Sequence, residues 1–568
     1  MFRDSRMMLV IAVSVALCAP LFRMDWFAGH EGYSYVLRTL EWAQELRAGS
    51  IYPRWCPDFY GGYGSPLFLF YGPVIYGSAG VLTATFLSPF MALKVATLFF
   101  SVLCGAGTYA LIYGETRHQD ASFLGTMAYM ASPYRNGNLY ARGDLGEFSC
   151  IAILPVVIAL YRAAAREALP NRARLLAVAA AATHGVMIMS HPVMGLWGTL
   201  VVGLIVLSSL VPLWVAGMRQ RAVTLVVAVA CAPGLAGVYV LPAMSYRTLT
   251  RTADMIVGFY KPQDQLTPLW QLFGVHSHPL FGPNFLSVGY LVAAATIASV
   301  LVLIVNFRKA RGLLGWLALT FFLVFLTHPV SHWFWAPDRL PLTQFIQFPW
   351  RLFGPISLTS SIALGVALAH SRLSEPLKSG AAIACSTAFF LFTSWPFLTQ
   401  QEISPNNTPQ DPDSIRVGIY SATDANEYHP LSAGDFPREP RAELVQSAEG
   451  VTVQYTSSDG SKHSLGLKAE QANAEVKLGV YFFPGWTMNT ISGPAKAQLL
   501  ADENGRLKVR LPVAGEYRVR VQYGASPAGK IGGWLTAISA LVLLLLGTWK
   551  TGLWPWPIPR LRAVGGAK

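Results

Sequence analysis

Apolar residues gather into long uncharged runs along most of the chain, and the residues that separate the runs alternate in character. Such runs lie at about 7–23, 93–113, 120–133, 149–163, 175–189, 194–212, 222–241, 287–306, 312–327, 352–370, 379–396 and 531–548. Roughly 20 apolar residues are what about 30 Å of hydrocarbon asks of a helix, so the pattern predicts about twelve membrane spans. The stretch 67–88 is apolar but broken by Gly and Pro, and is expected to be re-entrant or interfacial. Between about 400 and 528 the period changes. Val451 to Tyr455 and Leu507 to Leu511 alternate apolar with polar, as half-buried strands do, and Gly and Asp-Gly turn signals separate such runs. A small β-sandwich outside the membrane is expected there. The chain divides into a transmembrane domain with working outer loops (1–398), a β-rich domain (399–530), and a last span with a basic tail (531–568).

Charge orients the spans. Arg3 and Arg6, Arg117, Arg162 to Arg174, Arg219 and Arg221, Arg308 to Arg311, Arg372 and Lys378, and Lys550 to Arg562 all fall on one side. That side is cytoplasmic by the positive-inside bias. Both termini are expected inside a bacterial cytoplasmic membrane, with the β-rich domain outside. The N-terminal run is read as an uncleaved first span, being long for a signal peptide and lacking a small-x-small site.

Composition fits: 53% of residues are hydrophobic and 13% charged, against about 25% charged in soluble domains. The net charge of +13 comes from clusters between spans. It forms no stripe on an amphipathic helix, so nucleic acid is not an expected partner. Six cysteines show no metal-ligand spacing. Cys56 and Cys150, in or beside outer loops, are expected to be unpaired thiols. No phosphate loop, dinucleotide fingerprint, nucleophile elbow or zincin motif stands in a supporting context.

The outer loops hold the candidate chemistry. The first reads Asp25-Trp26-Phe27-Ala28-Gly29-His30-Glu31. A carboxylate at the mouth of a span serves as a general base or a cation ligand, or simply as a solvated loop acid. Further on, Tyr52-Pro53-Arg54-Trp55 offers rings and an arginine, suited to the headgroup zone or to a lipid-borne phosphate. In the second loop, Arg142-Gly143-Asp144-Leu145-Gly146-Glu147 puts one cation beside two acids. Asp144 and Glu147 would share a helical face. With Glu31 they could bind Mg²⁺ or Mn²⁺, or divide acid and base roles; alternatively Arg142 and Glu147 only pin the loop. His191 ends a span, and Gln347-Phe348-Pro349-Trp350-Arg351 precedes another. An arginine at the edge of the hydrocarbon wants an anion, and a lipid phosphate is the natural one.

These loops also carry a resemblance. Gly29-His30-Glu31 with Arg38, then Gly49-x-Ile51-Tyr52-Pro53-Arg54-Trp55, Ser132-Pro133-Tyr134, Arg142-Gly143 with Glu147, Ser190-His191, Gln347 to Arg351, Glu427-Tyr428-x-Pro430 and Phe483-Pro484-Gly485-Trp486 occur in order over nearly the whole chain. The set resembles bacterial membrane proteins labelled "6-pyruvoyl-tetrahydropterin synthase-related" and the similar YfhO-type proteins. The architecture looks like that of GT-C glycosyltransferases, which use polyprenyl-phosphate-type sugars. The resemblance implies Glu31 as catalytic carboxylate, with Asp144 and Glu147 as the second acidic loop. His30, Arg54, Arg142, His191, Gln347, Trp350 and Arg351 are the candidate substrate-binding residues. The chain departs from the pattern in carrying Glu31 where Asp is usual, followed by Tyr33, Ser34 and Tyr35. The leading expectation is therefore a sugar transferase with a lipid-linked donor and an unidentified acceptor. A transporter or flippase of a lipid-linked solute, and a non-catalytic assembly protein, are the alternatives.

Overall fold

The computed structural model describes residues 4–23, 31–257, 261–274, 277–278, 282–283, 287–336, 339, 346–395, 427–434 and 440–548. His30 and Asp25, the start of the β-rich region and the basic tail lie outside them.

The helices are α1 (Ser5–Ala16), α2 (Ala19–Arg23), α3 (Gly32–Arg47), α4 (Val74–Thr85), α5 (Pro89–Thr116), α6 (Gln119–Met130), α7 (Pro133–Gly137), α8 (Leu145–Arg166), α9 (Pro170–Ser190) and α10 (Pro192–Val215). They continue as α11 (Arg219–Leu235), α12 (Gly237–Tyr246), α13 (Leu269–Phe273), α14 (Tyr290–Val305), α15 (Leu313–Thr327), α16 (Phe353–His370), α17 (Glu375–Phe389) and α18 (Pro527–Thr548). Among the described residues, seven helices are long and apolar enough to cross a membrane, or nine if two bent pairs each count as one span. Those pairs bend by 56° after α11 and by 76° after α15. α1, α4 and α14 are apolar but shorter. The protein is a multi-pass helical membrane protein.

The expected span over 120–133 is different. There α6 has 12 residues, about 18 Å of helix, and every residue from Ala121 to Met130 is buried. It is an internal strut, too short to cross about 30 Å of hydrocarbon. The polar stretch 24–66 also holds more than a loop. It contains α3, 16 residues long, whose buried face includes Tyr35, Arg38, Glu41, Trp42 and Glu45. Charged residues interrupt its apolar ones: Arg38, Glu41 and Glu45 are buried along with Val36, Leu37 and Ala43.

Punctuation sets the helix ends. Pro89, Pro170 and Pro192 each sit in the first turn of a span, where the missing N–H costs nothing. Ser88 caps α5 by accepting from the Met91 amide at 3.3 Å. α8 lies between α5 on one side and α9 and α10 on the other, which carries its first turn into the middle of the bundle.

The β-rich part has eight strands: β1 (Val445–Glu449), β2 (Val451–Asp459), β3 (Lys462–Ala469), β4 (Ala474–Tyr481), β5 (Trp486–Ser492), β6 (Gln498–Ala501), β7 (Arg506–Leu511) and β8 (Gly515–Tyr523). They form two antiparallel four-stranded sheets, ordered β2-β3-β8-β5 and β1-β4-β7-β6. Leu465, Leu467, Val519 and Val521 of one sheet and Val476, Leu478, Leu507 and Val509 of the other are buried, as expected of the inner faces of a sandwich.

The sandwich docks on the chain between α3 and α4. Glu45, buried near the end of α3, accepts from the Ser461 amide and hydroxyl, both at 2.6 Å. Trp55 packs against Trp486 and Tyr523, with ring centres 5.3 and 4.8 Å apart. Gly64 lies over the Trp55 indole with φ +85°, and a Cβ there would sit 2.3 Å from the indole nitrogen, so only glycine fits.

Candidate active site at the amino end of helix α8

Between α6 and α8 the chain runs through α7 and one turn of π-helix, Asn138–Arg142. Such turns displace side chains from regular helical positions and are common at functional sites. Here Tyr134, Asn138 and Arg142 all reach Glu147. The Tyr134 hydroxyl and the Asn138 amide donate to its Oε1, the latter at 3.1 Å. Arg142 Nη1 meets Oε2 at 3.0 Å, and Arg351 Nε lies 3.2 Å from the same oxygen. Asp144 caps α8: its Oδ1 accepts from the Glu147 amide at 2.9 Å and from the Tyr35 hydroxyl at 3.1 Å. Its Oδ2 takes Arg142 Nη2 at 2.9 Å and stands 3.6 Å from His191 Nε2.

Two arginines and two carboxylates thus form a quartet linked in the order Asp144, Arg142, Glu147, Arg351, with side-chain exposures of 4% for Arg142, 8% for Arg351, 2% for Asp144 and 0% for Glu147. Burial works against the Asp144 carboxylate, but His191, the charges of Arg142 and Arg351 and the Glu147 amide hold it below the usual carboxylate range. The Trp350 ring covers the Arg142 guanidinium at 4.9 Å and stacks on Phe348 at 4.8 Å. Gln347 braces the group from outside: its Nε2 donates to the Met255 carbonyl at 3.0 Å, and Arg351 Nη1 lies 3.5 Å from its Oε1.

Glu31 stands one layer away. It precedes α3, its amide donates to the Arg142 carbonyl at 2.8 Å, and its carboxylate lies 3.5 Å from Arg38 Nη1. Its side chain is 17% exposed, unlike Asp144 and Glu147. Arg38 is fully buried, its guanidinium 3.8 Å from the Tyr71 ring centre and 5.0 Å from that of Tyr35. The Tyr71 hydroxyl donates to Glu427 at 3.1 Å. Tyr35, Tyr134, Asn138, Tyr71 and Glu427 were not singled out for chemistry from sequence. One signal was present: Asp-x-x-Glu ahead of an apolar run marks a capped helix start, and with it the register of Asp144 and Glu147.

Arg54 is not part of the site. It donates to the Tyr52 carbonyl at 3.0 Å and lies over the Tyr52 ring, near the junction with the sandwich.

Among the described residues, the group spaced to hold a metal ion is Asp144, Glu147 and His191, within 4.8 Å of one another, without Glu31. The donors are already engaged. Arginine atoms face the carboxylates, and His191 Nδ1 accepts from the Met194 amide at 3.1 Å. Burial lowers the His191 pKa to about 4, so the ring is neutral near pH 7. Its proton sits on Nε2, the nitrogen nearer Asp144, leaving no lone pair there for a metal. This arrangement does not fit Mg²⁺ or Mn²⁺ on the expected Glu31, Asp144 and Glu147.

An apolar cavity of about 360 Å³ lies between α3, α4 and α9, lined in part by Trp42, Val74, Gly77, Val81, Val186 and Met189.

No family model and no curated protein matches the sequence. A solved structure of ArnT from Cupriavidus metallidurans, bound to undecaprenyl phosphate, is similar over 73% of this chain and 76% of that one, at 14% identity and a TM-score of 0.36. A likeness that low decides nothing about this chain's fold or chemistry.

Proposed function

We propose that the protein transfers a sugar from a polyprenyl-phosphate-type donor to an acceptor hydroxyl, on the sandwich side of a bacterial cytoplasmic membrane. The observation that carries the reading is the pair of buried arginines, Arg142 and Arg351, gathered with Trp350 at the amino end of α8; an apolar cavity lies elsewhere in the bundle, between α3, α4 and α9. Guanidiniums suit a phosphate and an apolar cavity suits its isoprenoid chain. The ordered motifs that resemble the tetrahydropterin synthase-related and YfhO-type proteins, and through them the GT-C transferases, support the same reading. The basic connections at the opposite end support an extracytoplasmic site.

Exposure divides the acids. Glu31, partly exposed, is the base that takes the acceptor proton. The acceptor oxygen then bonds to the anomeric carbon as that carbon's bond to phosphate oxygen breaks. The lipid phosphate leaves with the extra negative charge, which Arg142 and Arg351 stabilise. Asp144 and Glu147, locked by hydrogen bonds, are positioning residues for those arginines. Following a radiolabelled polyprenyl-phosphate sugar into product, in membranes with and without the protein, tests the reading; label that stays on the lipid with every donor offered refutes it.

One observation favours a non-catalytic assembly protein instead: the quartet neutralises itself. That reading expects loss of Glu31 to be silent and loss of the sandwich to be disabling.

A further inference from the structure

A second polar site lies at the other end of α8, 22 residues from Asp144, or about 33 Å along the axis. It is a cavity of about 760 Å³ walled by the last turns of α5 and α8, with Tyr109, Tyr113 and Arg117 on one wall, Arg162 and Arg166 on the other, and Asp4 at its edge. That volume is in the range of small-molecule sites, about 300–1,000 Å³.

The arginines are held in place by the fold. Arg162 grips Glu115 with two bonds, at 2.9 and 3.0 Å, and Arg166 donates to the same carboxylate. Two guanidiniums on one acid leave a positive charge. Arg117 adds another: it is exposed, lies 5.9 Å from the Tyr113 ring centre, and takes part in none of the ion pairs found among the described residues. Two carboxylates share the lining and keep their charge, each oriented by neutral donors: Asp4 caps α1 and accepts from the Tyr109 hydroxyl at 2.5 Å, and Glu167 accepts from the Leu169 amide at 3.1 Å. The cavity also passes over Gly114, whose carbonyl accepts from Arg166 Nη1 at 2.9 Å and where an added Cβ would meet nothing within 4 Å.

We propose that this cavity binds a phosphate-bearing head group, that of an anionic phospholipid in the leaflet at the basic end of the bundle. Arginines held one turn apart and a free third arginine match a phosphate diester. Clustered basic residues between helices at the cytoplasmic face are where anionic head groups settle. The inference is independent of the transferase reading.

The test uses the full-length protein in detergent, stripped of lipid, with thermal unfolding followed against added phosphatidylglycerol, phosphatidylcholine or inorganic phosphate. Phosphatidylglycerol is expected to raise the Tm in a saturable way, and phosphatidylcholine to leave it unchanged. Arg117→Ala should weaken the phosphatidylglycerol response about tenfold. Gly114→Leu fills the cavity without removing a charge; it should abolish the response while keeping the Tm of the lipid-free protein. Arg372→Ala, an exposed arginine at the same end that bonds Asn306 and is absent from the cavity lining, should change nothing. A full response in Gly114→Leu, an equal loss in Arg372→Ala, or equal responses to the two lipids would overturn the proposal. Protection by inorganic phosphate equal to that by phosphatidylglycerol would keep the phosphate site and refute its lipid source.

Discussion

The amide of Glu31 donates to the carbonyl of Arg142 at 2.8 Å. Through that bond the most exposed carboxylate of the cluster is fixed, by backbone alone, to the residue whose side chain holds Asp144 and Glu147. Side-chain exchange at Glu31 therefore leaves this backbone connection intact, although it removes the carboxylate that lies 3.5 Å from the buried Arg38.

The quartet itself has no such tolerance. Glu147 receives both arginines and is fully buried, so Glu147→Gln leaves two guanidiniums facing one carboxylate. Breaking a buried ion pair from one side costs about 3–5 kcal/mol. Expected is a marked fall in the Tm of the purified protein; Glu147→Gln combined with Arg351→Met should lose less than the two single losses added together.

Because Arg142 and Arg351 already face the carboxylates, transfer should persist after chelation. Dialysis of membranes against EDTA is expected to leave the rate unchanged. Restoration of a lost rate by Mg²⁺ or Mn²⁺ would show that the donors rearrange around a metal.

Docking of the sandwich rests on Glu45. Glu45→Ala strands the Ser461 amide and hydroxyl, at a cost of about 1–3 kcal/mol. Gly460, at φ +56°, would place a Cβ 2.2 Å from Glu45 Oε1, so Gly460→Val should be at least as damaging. Hydrogen exchange across 445–523 is expected to accelerate in both, with the helices unaffected.

Within the sandwich, His463 is buried against Trp486, 5.6 Å between ring centres, and faces the Ser458 hydroxyl at 2.9 Å. Burial, with Arg441 adding to it, lowers its pKa from 6.5 to about 3. The unfolded chain therefore binds a proton that the folded sandwich refuses. Its contribution is full above about pH 6.5 and is lost as pH falls towards 3, by up to about 1.4 kcal/mol per pH unit. His463→Gln should flatten that dependence in thermal melts between pH 7 and pH 4.

The long apolar runs and the alternation at Leu507 to Leu511 were legible in the sequence, because each reflects a local period. So was the proximity of Arg142, Asp144 and Glu147, six residues of one loop. The pairing of Arg351 with Glu147 was not, since it joins positions 204 residues apart across the bundle. α3 was missed because buried charges, Arg38, Glu41 and Glu45, interrupt its apolar residues, and α6 was taken for a span because a buried strut is as apolar as a membrane helix. The expectation that Glu31 joins Asp144 and Glu147 in one ligand set gave way to two layers linked by Tyr35 and the backbone.

The most direct measurement is the rate of sugar transfer from a polyprenyl-phosphate donor in membranes holding equal amounts of the protein and its Glu31→Gln variant. The expected result is a loss of at least about 100-fold in a variant that remains folded at the assay temperature, its Tm lowered only by the lost Arg38 contact. A variant that transfers at the full rate would contradict the assignment of Glu31 as the base.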